Sequence, residues 1–270
     1  MSKRPAPVIV FADADATSAA REPGRADRLA GALELLAARR ITLVLCSRRT
    51  RAEVESIRQA LGIFHPFVCE RGAVAYVPER YFGTDLEDTR RVGGYQAIEF
   101  GSPYEQVLGR LHRAAGRLNL EVVGFNDMSV DQVARECGLP LLEARLAKLR
   151  EYSEPFRLVS PNPVAEWRLM KALDSAGLTC VPFGAFQQVA SVPGPGAAAP
   201  VLTTLYRVAL GAVVTASAGG AAWSVEIGGR VDVKLDRPAP DAAEWFESIV
   251  RSIDNIRDAG LSRPASRYAR

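Results

Sequence analysis

Val8-Ile9-Val10-Phe11-Ala12-Asp13-Ala14-Asp15-Ala16-Thr17 joins an uninterrupted apolar run to two acids separated by one small residue. The run is short and β-branched, the pattern of a strand buried on both faces. Asp13 and Asp15 then fall just past its carboxyl end, where open α/β sheets hold their ligands. Two carboxylates at ~4 Å repel by roughly 4 kcal/mol at an effective dielectric of about 20. A cation, a lysine or a raised pKa on one acid relieves that repulsion, and each of these marks a site. The plainer reading is a solvated loop with two acids after a strand. The segments that follow weigh against it.

Working outward, Arg28 to Arg39 has helical periodicity, with Leu29, Leu33, Leu36 and Ala37 on one face. Ile41 to Cys46 is a second apolar strand, ending in Ser47-Arg48-Arg49-Thr50. Arg51 to Leu61 is helical, with Val54, Ile57 and Leu61 inward, and stops at Gly62. Strand, helix, strand, helix predicts a parallel sheet with right-handed crossovers. Ser47 then reaches the same sheet edge as Asp13. Phe67 to Pro78 reads as two strands about a turn at Arg71-Gly72. Residues 83–94 are polar and glycine-containing, the texture of a linker. Beyond them strands and helices alternate to about residue 190 in a pattern that predicts a small antiparallel sheet with helices on one face. In it, Ser129 caps a helix that ends at Gly138. Val201 to Leu210 is helical, and Ala212–Ala216, Trp223–Ile227 and Arg230–Leu235 return to the first sheet. Asp241 to Ala259 is a closing helix.

The chain has 270 residues, enough for a large core or two small ones. Lys+Arg of 34 against Asp+Glu of 31 gives no basic groove, so nucleic acid is not an expected partner. Cys46, Cys69, Cys137 and Cys180 form no CxxC, and His65 and His112 are not spaced as ligands, which argues against zinc. Met1-Ser2-Lys3-Arg4 leads into Pro5 and Pro7 rather than an apolar signal segment, and no run approaches membrane-spanning length. A cytoplasmic location without a membrane partner is the expectation.

Asp13-Ala14-Asp15-Ala16-Thr17 resembles the first motif of haloacid dehalogenase (HAD) phosphatases, usually DxDGT, and Ser47 resembles their second motif. The mannosyl-3-phosphoglycerate phosphatase branch is the nearer likeness. It rests on Leu45 to Val54, Pro66 to Ala73, Gly124-Phe125-Asn126-Asp127-Met128-Ser129, and above all Arg150-Glu151-Tyr152-Ser153-Glu154-Pro155-Phe156. The resemblance implies a Rossmannoid HAD-like α/β core over residues 1–82 and 191–270, with an inserted α+β (C2-type) cap over 83–190. It implies a Mg²⁺-dependent phosphatase acting on a phosphorylated small molecule. Asp13 would be the nucleophile, Asp15 the acid/base, and Ser47 a donor to a phosphate oxygen, with Asp13 and Asp15 holding the metal. Arg48, Arg150 and Tyr152 are the expected substrate-binding residues, with a second reading for Arg150, Tyr152 and Glu154 as a segment kept for cap folding.

The last third departs from the family pattern. Pro195 stands where the third motif has its lysine, within Pro193 to Ala198. The fourth motif, usually GDxxND, is Ser217-Ala218-Gly219-Gly220-Ala221-Ala222, without acids. Ala185 replaces the arginine of the cap's GGRF, and Ala16 the glycine of DxDGT. Lys171 reads as a surface residue of a helix. Lys234, Asp232 and Glu226 are the sequence's other candidates for replacement groups. Arg49 shares the edge with Arg48, as clamp or as solvated charge. Asp127 reads as a helper in capping the helix after Ser129, Cys46 as packing, and His65 as part of a turn. Two readings follow. One is a phosphatase for a small phosphorylated sugar or sugar acid with an impaired Mg²⁺ site. The other is a catalytically silent relative that binds a phosphosugar or a protein partner. Either way, Asp13 and Asp15 should hold metal weakly without substrate, one of them with a raised pKa.

Overall fold

The computed structural model describes residues 8–14, 25–192, 196–210, 214–218, 223–227 and 230–235, together with Glu247, Val250, Arg251 and Asp254. β1 (Val8–Asp13) is buried from Val8 through Ala12. α1 (Arg25–Ala38), β2 (Ile41–Cys46), α2 (Arg51–Leu61) and β3 (Phe67–Cys69) follow. β1 pairs with β2 in parallel, Val8 beside Ile41 and Asp13 beside Cys46, and β2 pairs with β3 in parallel. Thr50 starts α2 with a capping box to Glu53, and Gly62 ends it at φ 64°, a left-handed backbone that favours glycine. β4 (Val74–Pro78), β5 (Arg90–Val92) and β6 (Tyr95–Glu99) extend the sheet on one side. After the inserted unit come α7 (Ala198–Leu210), β11 (Val214–Ala218), β12 (Trp223–Ile227) and β13 (Arg230–Leu235).

Among the described residues the large sheet has nine strands in the order β13-β12-β11-β1-β2-β3-β4-β6-β5. β11, β1, β2 and β3 run parallel and form its centre, with antiparallel hairpins on both flanks. Alternation on β1 splits the core in two. Val8, Val10 and Ala12 pack with Leu36 and Val54 of the first two helices. Ile9 and Phe11 pack with Leu202 and Tyr206 of α7. A strand covered on both faces has no polar side to show, which is why the opening run carries no alternation.

The inserted unit contains α3 (Tyr104–Arg117), β7 (Val122–Gly124), α4 (Val130–Cys137), α5 (Leu141–Ala147), β8 (Ser153–Leu158), α6 (Pro163–Ser175), β9 (Thr179–Phe183) and β10 (Phe186–Ala190). Its four strands form an antiparallel sheet in the order β7-β8-β10-β9. α3 and α6 pack through Val107, Leu111, Leu169 and Leu173 onto Phe156 and Val189. α4 and α5 pack over Phe125 and Phe186. Phe186 and Val189 are three apart on β10 and so belong to opposite faces. The helices therefore cover both faces, not one.

The parallel-sheet α/β core with an inserted α+β unit is the expected fold class. The boundary moves, however. β5 and β6, which the sequence assigned to a linker and to the cap, belong to the large sheet, β6 pairing with β4 from Val74–Glu99 to Pro78–Tyr95. The core therefore runs to Phe100, and the cap begins beyond it rather than at residue 83. The closing helix expected over residues 241–259 falls largely outside the described residues. Of those described there, Val250 is buried and Asp254 pairs with Arg39 at 2.7 Å.

Candidate active site

The site is built by register. Asp13 ends β1 beside Cys46, and Ser47 is the next residue of that neighbouring strand. On the other flank Ala12 pairs with Ala218, the last residue of β11. Strands in a sheet lie about 4.8 Å apart, so the ends of β1, β2 and β11 converge at one edge. Asp15 lies outside the described residues, as do the side chain of Asp13, residues 193–195 and residues 219–222. The raised pKa expected for one acid of the pair falls on these positions.

Ser47 is held from three directions. Its N–H donates to Val68 O at 2.9 Å, its carbonyl accepts from Arg71 N–H at 3.0 Å, and its Oγ accepts from Arg49 N–H at 3.0 Å. With the hydroxyl oxygen serving as acceptor, its proton is the one to offer a ligand. Arg48 sits at the seam with the cap. Its guanidinium donates to Pro182 O at 2.9 Å and lies 5.7 Å from the Phe183 ring centroid. It stays exposed beside Ser47.

Arg150 and Tyr152 are placed differently. The Arg150 guanidinium is fully buried and donates to Ala147 O at 2.9 Å and to Arg48 O at 2.8 Å, with Glu53 at 3.8 Å and the Phe183 ring at 5.3 Å. Its donors brace the loop after Ser47 against the cap. The Tyr152 hydroxyl donates to Glu99 and accepts from Arg90 Nη2 at 2.8 Å. Both partners are on the outer strands β5 and β6, and β6 lies four strands from β1, roughly 19 Å across the sheet. The structure thus does not bring Tyr152 to Asp13 and Ser47.

The alternative charge sources are also separated from the edge. Ser217, Ser224 and Lys234 align across β11, β12 and β13, which sets Lys234 three strands, or about 14 Å, from β1. Glu226 and Asp232 share those outer strands. Lys171 is exposed and stacks over Trp167 at 4.7 Å. Lys148 donates to the carbonyls of Phe125 and Met128. Asp127 accepts from Gly124 N–H at 2.9 Å and closes a turn, while Ser129 caps α4 with Gln132. His65 Nδ1 lies 2.7 Å from the Tyr81 hydroxyl, and burial, with Arg58 nearby, lowers its pKa.

For a metal, Asp13 and Asp15 bring hard oxygen donors two residues apart in sequence, which suits Mg²⁺. β11 ends in Ala218, and the residues after it, Gly219 to Ala222, carry no oxygen in their side chains. The fit is therefore partial and rests on Asp13 and Asp15. Among the described residues no group of three His, Cys, Asp or Glu side chains is arranged to hold a metal.

In the sequence Arg71-Gly72 reads as a turn and Pro66 to Ala73 as part of the family likeness, with no role given to Glu70 or Arg71. Glu70 is fully buried, and its carboxylate accepts from Glu151 N–H at 2.8 Å, Tyr152 N–H at 3.0 Å and Ser153 Oγ at 2.7 Å. Burial raises its pKa, with Arg150 and these donors opposing the shift. Arg71 donates to Thr179 O at 2.9 Å and Gln188 O at 3.3 Å. Gln188, also unforeseen, donates through Nε2 to Arg48 O at 2.8 Å. The signal in the sequence was a buried-type Glu-Arg pair directly after a strand ending in Cys69.

No protein-family model matches the chain. It is 32% identical over 252 residues to the glucosyl-3-phosphoglycerate/mannosyl-3-phosphoglycerate phosphatase of Methanococcoides burtonii, covering 93% of this chain and 92% of that one. It is 30% identical over 165 residues to the mannosyl-3-phosphoglycerate phosphatase of Pyrococcus furiosus, covering 61% and 65%. A solved HAD-superfamily phosphatase from Bacteroides thetaiotaomicron overlays 76% of this chain and 75% of its own at a TM-score of 0.51 and 15% identity, a likeness of fold.

Proposed function

The chain belongs to the mannosyl-3-phosphoglycerate phosphatase branch of the HAD superfamily, and from that premise we propose that it hydrolyses a phosphorylated sugar acid at the edge formed by β1 and β2. The observation that carries this reading is the register that sets Asp13 beside Cys46 and hence beside Ser47. In the proposed reaction the Asp13 carboxylate attacks phosphorus as the ester P–O bond breaks. Asp15 gives its proton to the departing alkoxide. Asp15, now ionised, takes a proton from water, whose oxygen attacks the aspartyl-phosphate and releases inorganic phosphate and free Asp13. Ser47 donates its hydroxyl proton to a non-bridging phosphate oxygen. Mg²⁺, held by the Asp13 carboxylate and the backbone carbonyl of Asp15, would offset the charge of the phosphate.

Relatives named for glucosyl- and mannosyl-3-phosphoglycerate make those esters the first substrates to assay. With Mg²⁺ present, the purified protein should release phosphate from at least one of them, and Asp13→Asn should lower that rate by about 10³-fold or more. Wild type and Asp13→Asn equally inert across a sugar-phosphate panel would overturn the proposal. The absence of acids after β11 favours one competing reading, a binder of phosphosugars without turnover. That reading expects a ligand-dependent rise in Tm with no phosphate released.

A further inference from the structure

We infer that Glu70 and Arg71 are positioning residues that couple the seating of the cap to the placement of Ser47; the effect on catalysis rests on the reaction proposed above, while the coupling itself does not. Both residues hold a left-handed backbone, Glu70 at φ 48° and Arg71 at φ 65°, and neither is glycine. Such a pair persists only where its surroundings fix it, and here every direction is fixed. Along the backbone, Glu70 N–H donates to Arg49 O at 3.1 Å and Arg71 N–H donates to Ser47 O at 3.0 Å. Both bonds grip the loop that carries Ser47. Through the side chains the same two residues grip the cap. Glu70 holds the strap Glu151–Ser153 that leads into β8, and Arg71 holds carbonyls of β9 and β10.

A third connection runs through the same turn. Ala73 O accepts from Phe100 N–H at 2.8 Å and from Gly101 N–H at 2.9 Å, where the chain leaves the core for the cap. The backbones approach so closely there that a Cβ on Gly101 would meet the Ala73 Cβ at 2.7 Å. The turn from Glu70 to Ala73 therefore touches the segment leaving the core, the strap into β8, the β9–β10 pair and the Ser47 loop. A displacement of the cap acts on Ser47 through two backbone hydrogen bonds. Small misplacements of a catalytic donor are costly in rate.

The test uses the full-length protein with Arg71→Met, which keeps the aliphatic stem, Arg71→Lys, which can restore one carbonyl bond, and Glu70→Gln. Genetically encoded spin labels at the exposed Gln59 on α2 and Arg135 on α4 report the core-to-cap distance without using the native cysteines. Arg71→Met should broaden that distance distribution, and Arg71→Lys should narrow it again in part. On the best phosphate ester, Arg71→Met should lower kcat about 10-fold or more with KM changed less than about threefold, and Arg71→Lys should recover part of kcat. An unchanged distance distribution together with an unchanged kcat overturns the coupling. If wild type is inert, the phosphatase proposal fails while the distances still decide the coupling. If the variants do not fold, hydrogen exchange on wild type decides it. Amides of Ser47–Thr50 and Glu151–Ser153 opening at one common rate support the coupling, and independent rates refute it.

Discussion

Burial lifts the carboxyl of Glu154 to about 7, with the Asn126 N–H and the Tyr104 hydroxyl opposing the shift and Asp127 adding to it. Gly124 makes room for this carboxyl, since a Cβ there would lie 2.2 Å from Oε1. An acid raised from 4.5 to about 7 binds more protons folded than unfolded. Its contribution is complete below pH 4.5 and is lost as pH rises through 7, amounting to at most about 3 kcal/mol. Glu70 shifts in the same direction. His65, lowered by burial, works the other way in the core. The cap should therefore unfold at lower urea at about pH 8 than at about pH 5. Glu154→Gln, which keeps an acceptor for Asn126, should flatten that dependence, as read by circular dichroism at both pH values. An unaltered slope in Glu154→Gln would assign the titration to another group.

At the scale of elements, α2 shows how local signals and distant bonds combine. Thr50 caps the helix by accepting from Glu53 N–H at 3.2 Å, and its own hydroxyl donates across the seam to Leu146 O at 3.0 Å. Thr50→Ala loses both and should cost about 2 kcal/mol in urea unfolding. Thr50→Ser keeps both and should cost less than half of that. Equal losses would point to the buried methyl instead. The glycine stop of this helix and the Ser129 cap of α4 were legible because each is written within a few residues of sequence, whereas the Thr50 cap, equally local, went unread. The edge carrying Asp13 and Ser47 was legible because two apolar strands end in polar residues. β5 was not, since Arg90 and Arg91 are exposed on an outermost strand and leave no apolar alternation to read. The segment from Arg150 to Glu154 read as a family signature of the cap, open between substrate binding and cap folding. Its partners, Glu70 with the strap and Arg90 and Glu99 with Tyr152, lie far away in sequence, and no local pattern encodes them.

Across the whole molecule, most apolar clusters lie within the core or within the cap, and the cap reaches the core's cluster through Tyr152 and Ala190. What joins them is largely polar, with Arg48, Arg71 and Arg150 donating to backbone carbonyls and Glu151 receiving Arg51, Tyr76 and Arg90. These bonds differ in kind. Arg90 and Glu151 are partly exposed, so solvent and salt screen their pair to about 1 kcal/mol or less. The Arg150 guanidinium has no exposed surface, and its removal leaves the carbonyls of Arg48 and Ala147 without that donor, at a cost of about 3 kcal/mol. Arg90→Ala should therefore lower stability only slightly, and the loss should vanish near 1 M salt, where the Debye length falls to about 3 Å. Arg150→Ala should lower it several times more, with little dependence on salt, and should speed hydrogen exchange across β8 to β10. The pair of variants, measured at low and high salt, separates a cap held by buried donors from one held by surface ion pairs. A strongly salt-dependent loss in Arg150→Ala, or none at all, would show that the seam is held by the surface pairs.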